Sequence, residues 1–130
     1  MSTWIAQEFA SAGPLAPWIK IAHAGMEAQM IVELVLFDLP EGATRASAAA
    51  LYETTAARWA DNPDLIEKYY YFDAETGEGG GVYIWPDRAA AERWRGEDYR
   101  KMIAELYGAS PRIRILDALM RVAPGAIRQL

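Results

Sequence analysis

Residues 65–85 read LIEKYYYFDAETGEGGGVYIW, two aromatic-rich runs around a short polar link. Three tyrosines and a phenylalanine between positions 65 and 73 favour a strand, because large rings pack well on a pleated, half-buried surface. Glu75-Thr76-Gly77 supplies a hairpin loop, and residues 80–85 supply the return strand, stopped by Pro86 and Asp87. Gly79-Gly80-Gly81 is the anomaly, since glycine costs backbone entropy and gives a strand no side chain to pack. Either the glycines open space beside a ligand cavity or they form a flexible hairpin end or bulge. They are not a phosphate loop: no Lys-Ser/Thr follows, and they enter a strand instead of a helix.

Working outward, residues 29–38 (QMIVELVLFD) form a first strand that ends at the turn signal Leu39-Pro40-Glu41-Gly42. Residues 44–59 are alanine-rich, with Ala48, Leu51, Tyr52, Thr55 and Trp59 on one helical face, and Asp61-Asn62-Pro63 stops them. After the hairpin, Asp87 caps a helix over 89–95 that breaks at Gly96 and resumes over 97–107, with Tyr99, Met102, Ile103 and Leu106 inward. Residues 112–122 make a fourth strand, ended by Pro124-Gly125. The order β-α-β-β-α-β predicts an α+β, ferredoxin-like domain: a four-stranded antiparallel sheet with its helices on one face. The expected divisions are an N-terminal extension over 1–29 that packs on the domain, the domain itself over 30–124, and a tail over 125–130.

Both faces of the first strand are apolar. Met30, Val32, Leu34 and Leu36 are expected beneath the helices, leaving Ile31, Glu33, Val35 and Phe37 on the outer face. Two helices on one side leave the other side bare, and an exposed apolar face of that size marks an interface. A homodimer that encloses a pocket between two facing sheets is the expected cover.

The chain has 130 residues, a net charge of −5 and no cysteine, which excludes thiol catalysis, thiolate metal sites and disulfides. The acidic balance disfavours nucleic acid and anionic membranes as partners. Positions 1–29 lack a basic n-region, and no run approaches the roughly 20 apolar residues of a membrane span. The expected location is cytoplasmic.

Several residues stand out as chemical candidates. Lys68, between aromatics at strand spacing, can hold a phenolate or enolate, or can be a solvated edge lysine. Glu33, in an apolar strand, must be paired with Lys68, Arg114 or Arg121, or act as a proton acceptor of raised pKa. His23 is the sole histidine, which excludes His-rich metal sites; it is either a general base or a packing residue of the extension. Tyr70, or the pair Tyr69 and Tyr71, can reach a pocket with a phenol hydrogen bond, against plain cross-strand packing as the alternative. No acidic cluster has metal-site spacing, so no metal is expected.

The run PDLIEKYYYFDAETGEGGGVYIWPDRAAAERW, residues 63–94, resembles the YdhR-type monooxygenases of the dimeric α+β barrel superfamily, which also holds the antibiotic-biosynthesis monooxygenases. The matching features are Lys68 with Tyr70 two residues on, Gly80-Gly81 opening a strand, Tyr83, Trp85-x-Asp87, and the alanine-rich helix that follows. The likeness spans about residues 30–124; the preceding 29 residues and the tyrosine-rich strand depart from it. It implies cofactor-independent removal of a proton from a small aromatic phenol, anthrone or hydroquinone, after which the anion reacts directly with O₂. Under that implication Lys68 or Tyr70 stabilises the anion and Glu33 or His23 takes the proton. Tyr83, Trp85, Gly81, Phe37 and Tyr69 line the substrate. Two other readings share the architecture: an isomerase, cyclase or lyase working by proton transfer on a small carbonyl compound, and a non-catalytic stress protein that binds aromatic ligands.

Overall fold

A computed structural model describes residues 20–22 and 30–130. The chain divides into two units, residues 28–118 and residues 1–27 with 119–130.

In the larger unit, strand β2 (Ile31–Asp38) leads through the Leu39–Gly42 turn to helix α1 (Arg45–Ala60). A capping box starts that helix: Ser47 N donates to Thr44 Oγ1 at 3.1 Å and Thr44 N donates to Ser47 Oγ at 2.8 Å. The hairpin strands β3 (Glu67–Phe72) and β4 (Glu78–Trp85) follow, then the short helix α2 (Arg88–Arg93), capped by Asp87, then α3 (Glu97–Tyr107) and β5 (Arg112–Asp117). The sheet order is β3-β4-β2-β5, all neighbours antiparallel, which is the expected ferredoxin-like arrangement.

The face assignment comes out opposite to expectation. Ile31, Glu33, Val35 and Phe37 are the buried row, and its apolar members cluster with Ala48, Tyr52 and Trp59 of α1 and Tyr99, Ile103 and Tyr107 of α3. Val32, Leu34 and Leu36 lie half-buried on the far face. Both rows are apolar, so alternation alone cannot say which meets the helices. The core therefore sits between the helices and the row that carries Glu33.

The fourth strand is shorter than expected. It stops at Asp117, where Ala118 N donates to Met30 O at 2.9 Å, and residues 120–123 belong to a different sheet. In the smaller unit, β1 (Lys20–Ala22) runs parallel to β7 (Ala126–Gln129), which pairs antiparallel with β6 (Met120–Ala123). Residues 126–129, expected within a tail, are thus a strand.

Candidate functional site

The hairpin register decides which side chains meet. Lys68 lies opposite Tyr83, Tyr70 opposite Gly81, and Phe72 opposite Gly79, all on the helix-covered face. Each glycine makes room for a specific neighbour. A Cβ on Gly81 would stand 3.0 Å from Tyr83 Cε1 and 3.1 Å from Lys68 Cε, and one on Gly79 would stand 2.3 Å from the Tyr52 hydroxyl. At Gly80 it would meet the Val35 carbonyl oxygen at 1.9 Å, and φ there is +157°, a region that favours glycine. Tyr52 exploits the gap: its hydroxyl donates to Tyr71 O at 2.7 Å and accepts from Gly80 N at 3.0 Å, tying α1 to both hairpin strands.

The space left between sheet and helices is a cavity of about 10 Å³, room for roughly one water. Lys68, Tyr70, Gly81, Tyr83 and Phe37 line it, together with Thr55 and Trp59 of α1 and Met102, Ile103 and Tyr107 of α3. It lies within one chain, beneath the helices, and not on the outer face of the sheet where a pocket between facing sheets was expected. A groove of about 340 Å³ runs between α1 and β3, lined by Ala56, Ala60, Leu65 and Ile66 among others. Trp59, Lys68 and Tyr70 line both spaces.

Lys68 is the electrostatic centre of the cavity. Its Nζ lies 3.8 Å from the ring centre of Tyr70, 4.4 Å from that of Tyr83 and 4.5 Å from that of Trp59. Among the described residues no carboxylate pairs with it, and burial pulls its pKa from 10.5 down to about 6. The rings offset part of the cost of withdrawing an ammonium from water. With its pKa near 6, the amine is largely neutral at pH 7. The phenols nearby move the other way: burial raises Tyr70, Tyr83, Tyr99 and Tyr107, and all remain protonated. Tyr70 shares a 2.7 Å hydrogen bond with Thr55 Oγ1, and Tyr83 shares one of 3.0 Å with Tyr99.

Glu33 is fully buried but does not line the cavity. Its partner is Arg95, which clasps both carboxylate oxygens through Nε and Nη2, while Trp85 Nε1 donates to Oε1 at 2.8 Å. Lys68, Arg114 and Arg121, the partners expected from sequence, are not used. Burial brings the Arg95 pKa down to about 10, still charged at neutral pH, and the carboxylate beside it favours that charge. The guanidinium also lies over Tyr83, a ring of the cavity wall, at 4.7 Å and over Tyr99 behind it at 4.2 Å.

Of the other residues singled out from sequence, Trp85 is wholly buried, its ring centre 5.9 Å from that of Tyr83 and nearly parallel to it, behind the wall instead of in it. Tyr69 points to the opposite face, 58% exposed, and its hydroxyl donates to Glu67 Oε1 at 2.6 Å. His23 lies outside the described residues. Arg95 escaped notice in the sequence, where the one local signal was the helix break at Gly96. Among the described residues no group of three or more His, Cys, Asp or Glu could hold a metal ion, and no helix is long and apolar enough to cross a membrane.

No protein-family model matches the chain, and no curated protein sequence matches it either. Solved structures do. SnoaB, a cofactor-independent oxygenase from Streptomyces nogalater, superposes with a TM-score of 0.53 at 16% identity, covering 74% of this chain and 97% of that one. A protein of unknown function from Nitrosomonas europaea gives 0.58 at 13% identity over 75% and 97%. An antibiotic biosynthesis monooxygenase gives 0.50 at 16% identity over 67% and 97%. At these identities the likeness is one of fold.

Proposed function

We propose that this chain is a cofactor-independent monooxygenase of small, electron-rich aromatic compounds (phenols, anthrones or hydroquinones) that acts as a homodimer. The observation that carries the reading is Lys68: a lysine whose pKa is pulled down to about 6, held among three aromatic rings at the border of a cavity and a groove. A neutral amine there accepts a proton from a ring hydroxyl or an anthrone methylene, and the ammonium it becomes stabilises the anion just formed. The anion then reacts with O₂ directly; for an anthrone, the methylene becomes a carbonyl and the second oxygen atom leaves as water.

The other residues bind and orient. Tyr70, anchored on Thr55, donates a hydrogen bond to the anion oxygen, while Tyr83, Phe37 and Gly81 flank the ring. Glu33 is assigned a positioning part, holding Arg95 and Trp85 behind Tyr83. Because the cavity holds only about one water, the substrate enters along the α1–β3 groove as Lys68, Tyr70 and Trp59 shift and the two spaces merge. The shared fold with a cofactor-independent oxygenase supports the reading without carrying it.

The test is oxygen uptake by metal-free protein across hydroquinones, anthrones and naphthols. Uptake above autoxidation is expected with at least one compound. It should rise as pH passes about 6, where Lys68 loses its proton, and then level off. Lys68→Ala should lower it by about 10²–10⁴-fold. Uptake that survives Lys68→Ala, or no uptake with compounds the protein binds, overturns the proposal.

A further inference from the structure

The same amine has a second reactivity that needs no oxygen. Lys68 is one of only three lysines, with Lys20 and Lys101. Lys101 is exposed on α3, whereas Lys68 is half-buried where a groove of about 340 Å³ meets the inner cavity. That volume falls within the range of small-molecule sites, and the groove is lined mostly by apolar and aromatic side chains. Three rings surround Nζ within 4.5 Å, and no described carboxylate competes for it.

We infer that Lys68 is a nucleophile that captures small aromatic aldehydes and ketones as imines, the ligand lying in the α1–β3 groove with its ring against Trp59 and Tyr70. The nitrogen lone pair adds to the carbonyl carbon, the C=O bond is replaced by C=N, and the oxygen leaves as water with both amine hydrogens. Ring stacking holds the aldehyde in place, and the dry surroundings of Nζ slow the return hydrolysis. Capture consumes no oxygen, so it is independent of the oxygen chemistry.

The experiment uses the full chain, benzaldehyde as the probe and cyanoborohydride as the hydride donor, under nitrogen near pH 7.5, followed by peptide mass mapping. One benzyl group on Lys68, placed there at least about tenfold faster than on Lys101, is expected, since the neutral amine is the reacting form. Equal labelling of the two lysines, or none on Lys68, overturns the inference. The comparison is internal to the wild-type chain, so the result does not hinge on a variant that fails to fold. Lys68→Arg removes the primary amine and must abolish the adduct at that position. An adduct without oxygen uptake leaves the imine standing and removes the oxygenase; uptake without an adduct does the reverse.

Discussion

A buried lysine works against the fold that holds it. In the unfolded chain Lys68 binds its proton up to about pH 10.5, while in the folded chain it loses it near 6. Between those values the unfolded state carries more protons, so stability rises with pH across that window and is lowest, and flat, below about 6. Lys68→Met should therefore raise the urea midpoint at pH 7, with the gain shrinking toward pH 10. A variant that destabilises at every pH would show that the stem's packing outweighs the charge. Glu33 is the converse case. Glu33→Gln leaves the Arg95 guanidinium buried without its carboxylate and should cost about 3–5 kcal/mol, read as a lowered urea midpoint.

Among the elements, strand β4 carries the sharpest test. Gly80→Ala drives a Cβ into the Val35 carbonyl, which is backbone and cannot turn aside, so this variant should fail to fold or unfold at far lower urea. Gly81→Ala crowds the Lys68 stem and the Tyr83 ring edge, both able to give a few tenths of an ångström, and stands in ordinary contact with Tyr69 O at 3.5 Å. It should fold, lose about 1 kcal/mol by urea melt, and shift the Lys68 titration measured by NMR. These glycines were conspicuous in the sequence, and so was the hairpin around them, because dense aromatic runs and turn residues are local signals. The buried face of α1 was legible from its helical spacing, and that of α3 in part: Tyr99 and Ile103 are buried as expected, whereas Met102 and Leu106 are half-buried and Tyr107, stacked on Phe37, was not expected there. The partner of Glu33 was not legible: 62 positions separate it from Arg95, and only the packing of α2 against the sheet brings them together. Nor was the end of β5 legible, since the apolar alternation runs past Asp117 while the hydrogen-bonded partners change.

For the molecule as a whole, the far face of the sheet carries Val32, Leu34, Leu36, Val82, Ile84 and Leu116, all half-buried. A second copy is the proposed cover, and light scattering should give twice the chain mass. Leu34→Glu places a carboxylate in the middle of that face and should shift the population toward monomer while far-UV circular dichroism stays unchanged. A wild-type chain that runs as a monomer at micromolar concentration sinks the dimer. The cavity lies under the helices of a single chain, so loss of the dimer alone need not abolish ligand binding.

The 4.5 Å between the Lys68 amine and the Trp59 ring also has an optical meaning. An indole so close to a group that gains or loses charge near pH 6 emits differently in the two states, which makes fluorescence a built-in indicator of a single proton. A pH titration of the emission should show a step that Lys68→Met erases, and a compound that displaces the amine should move that step before any chemistry occurs.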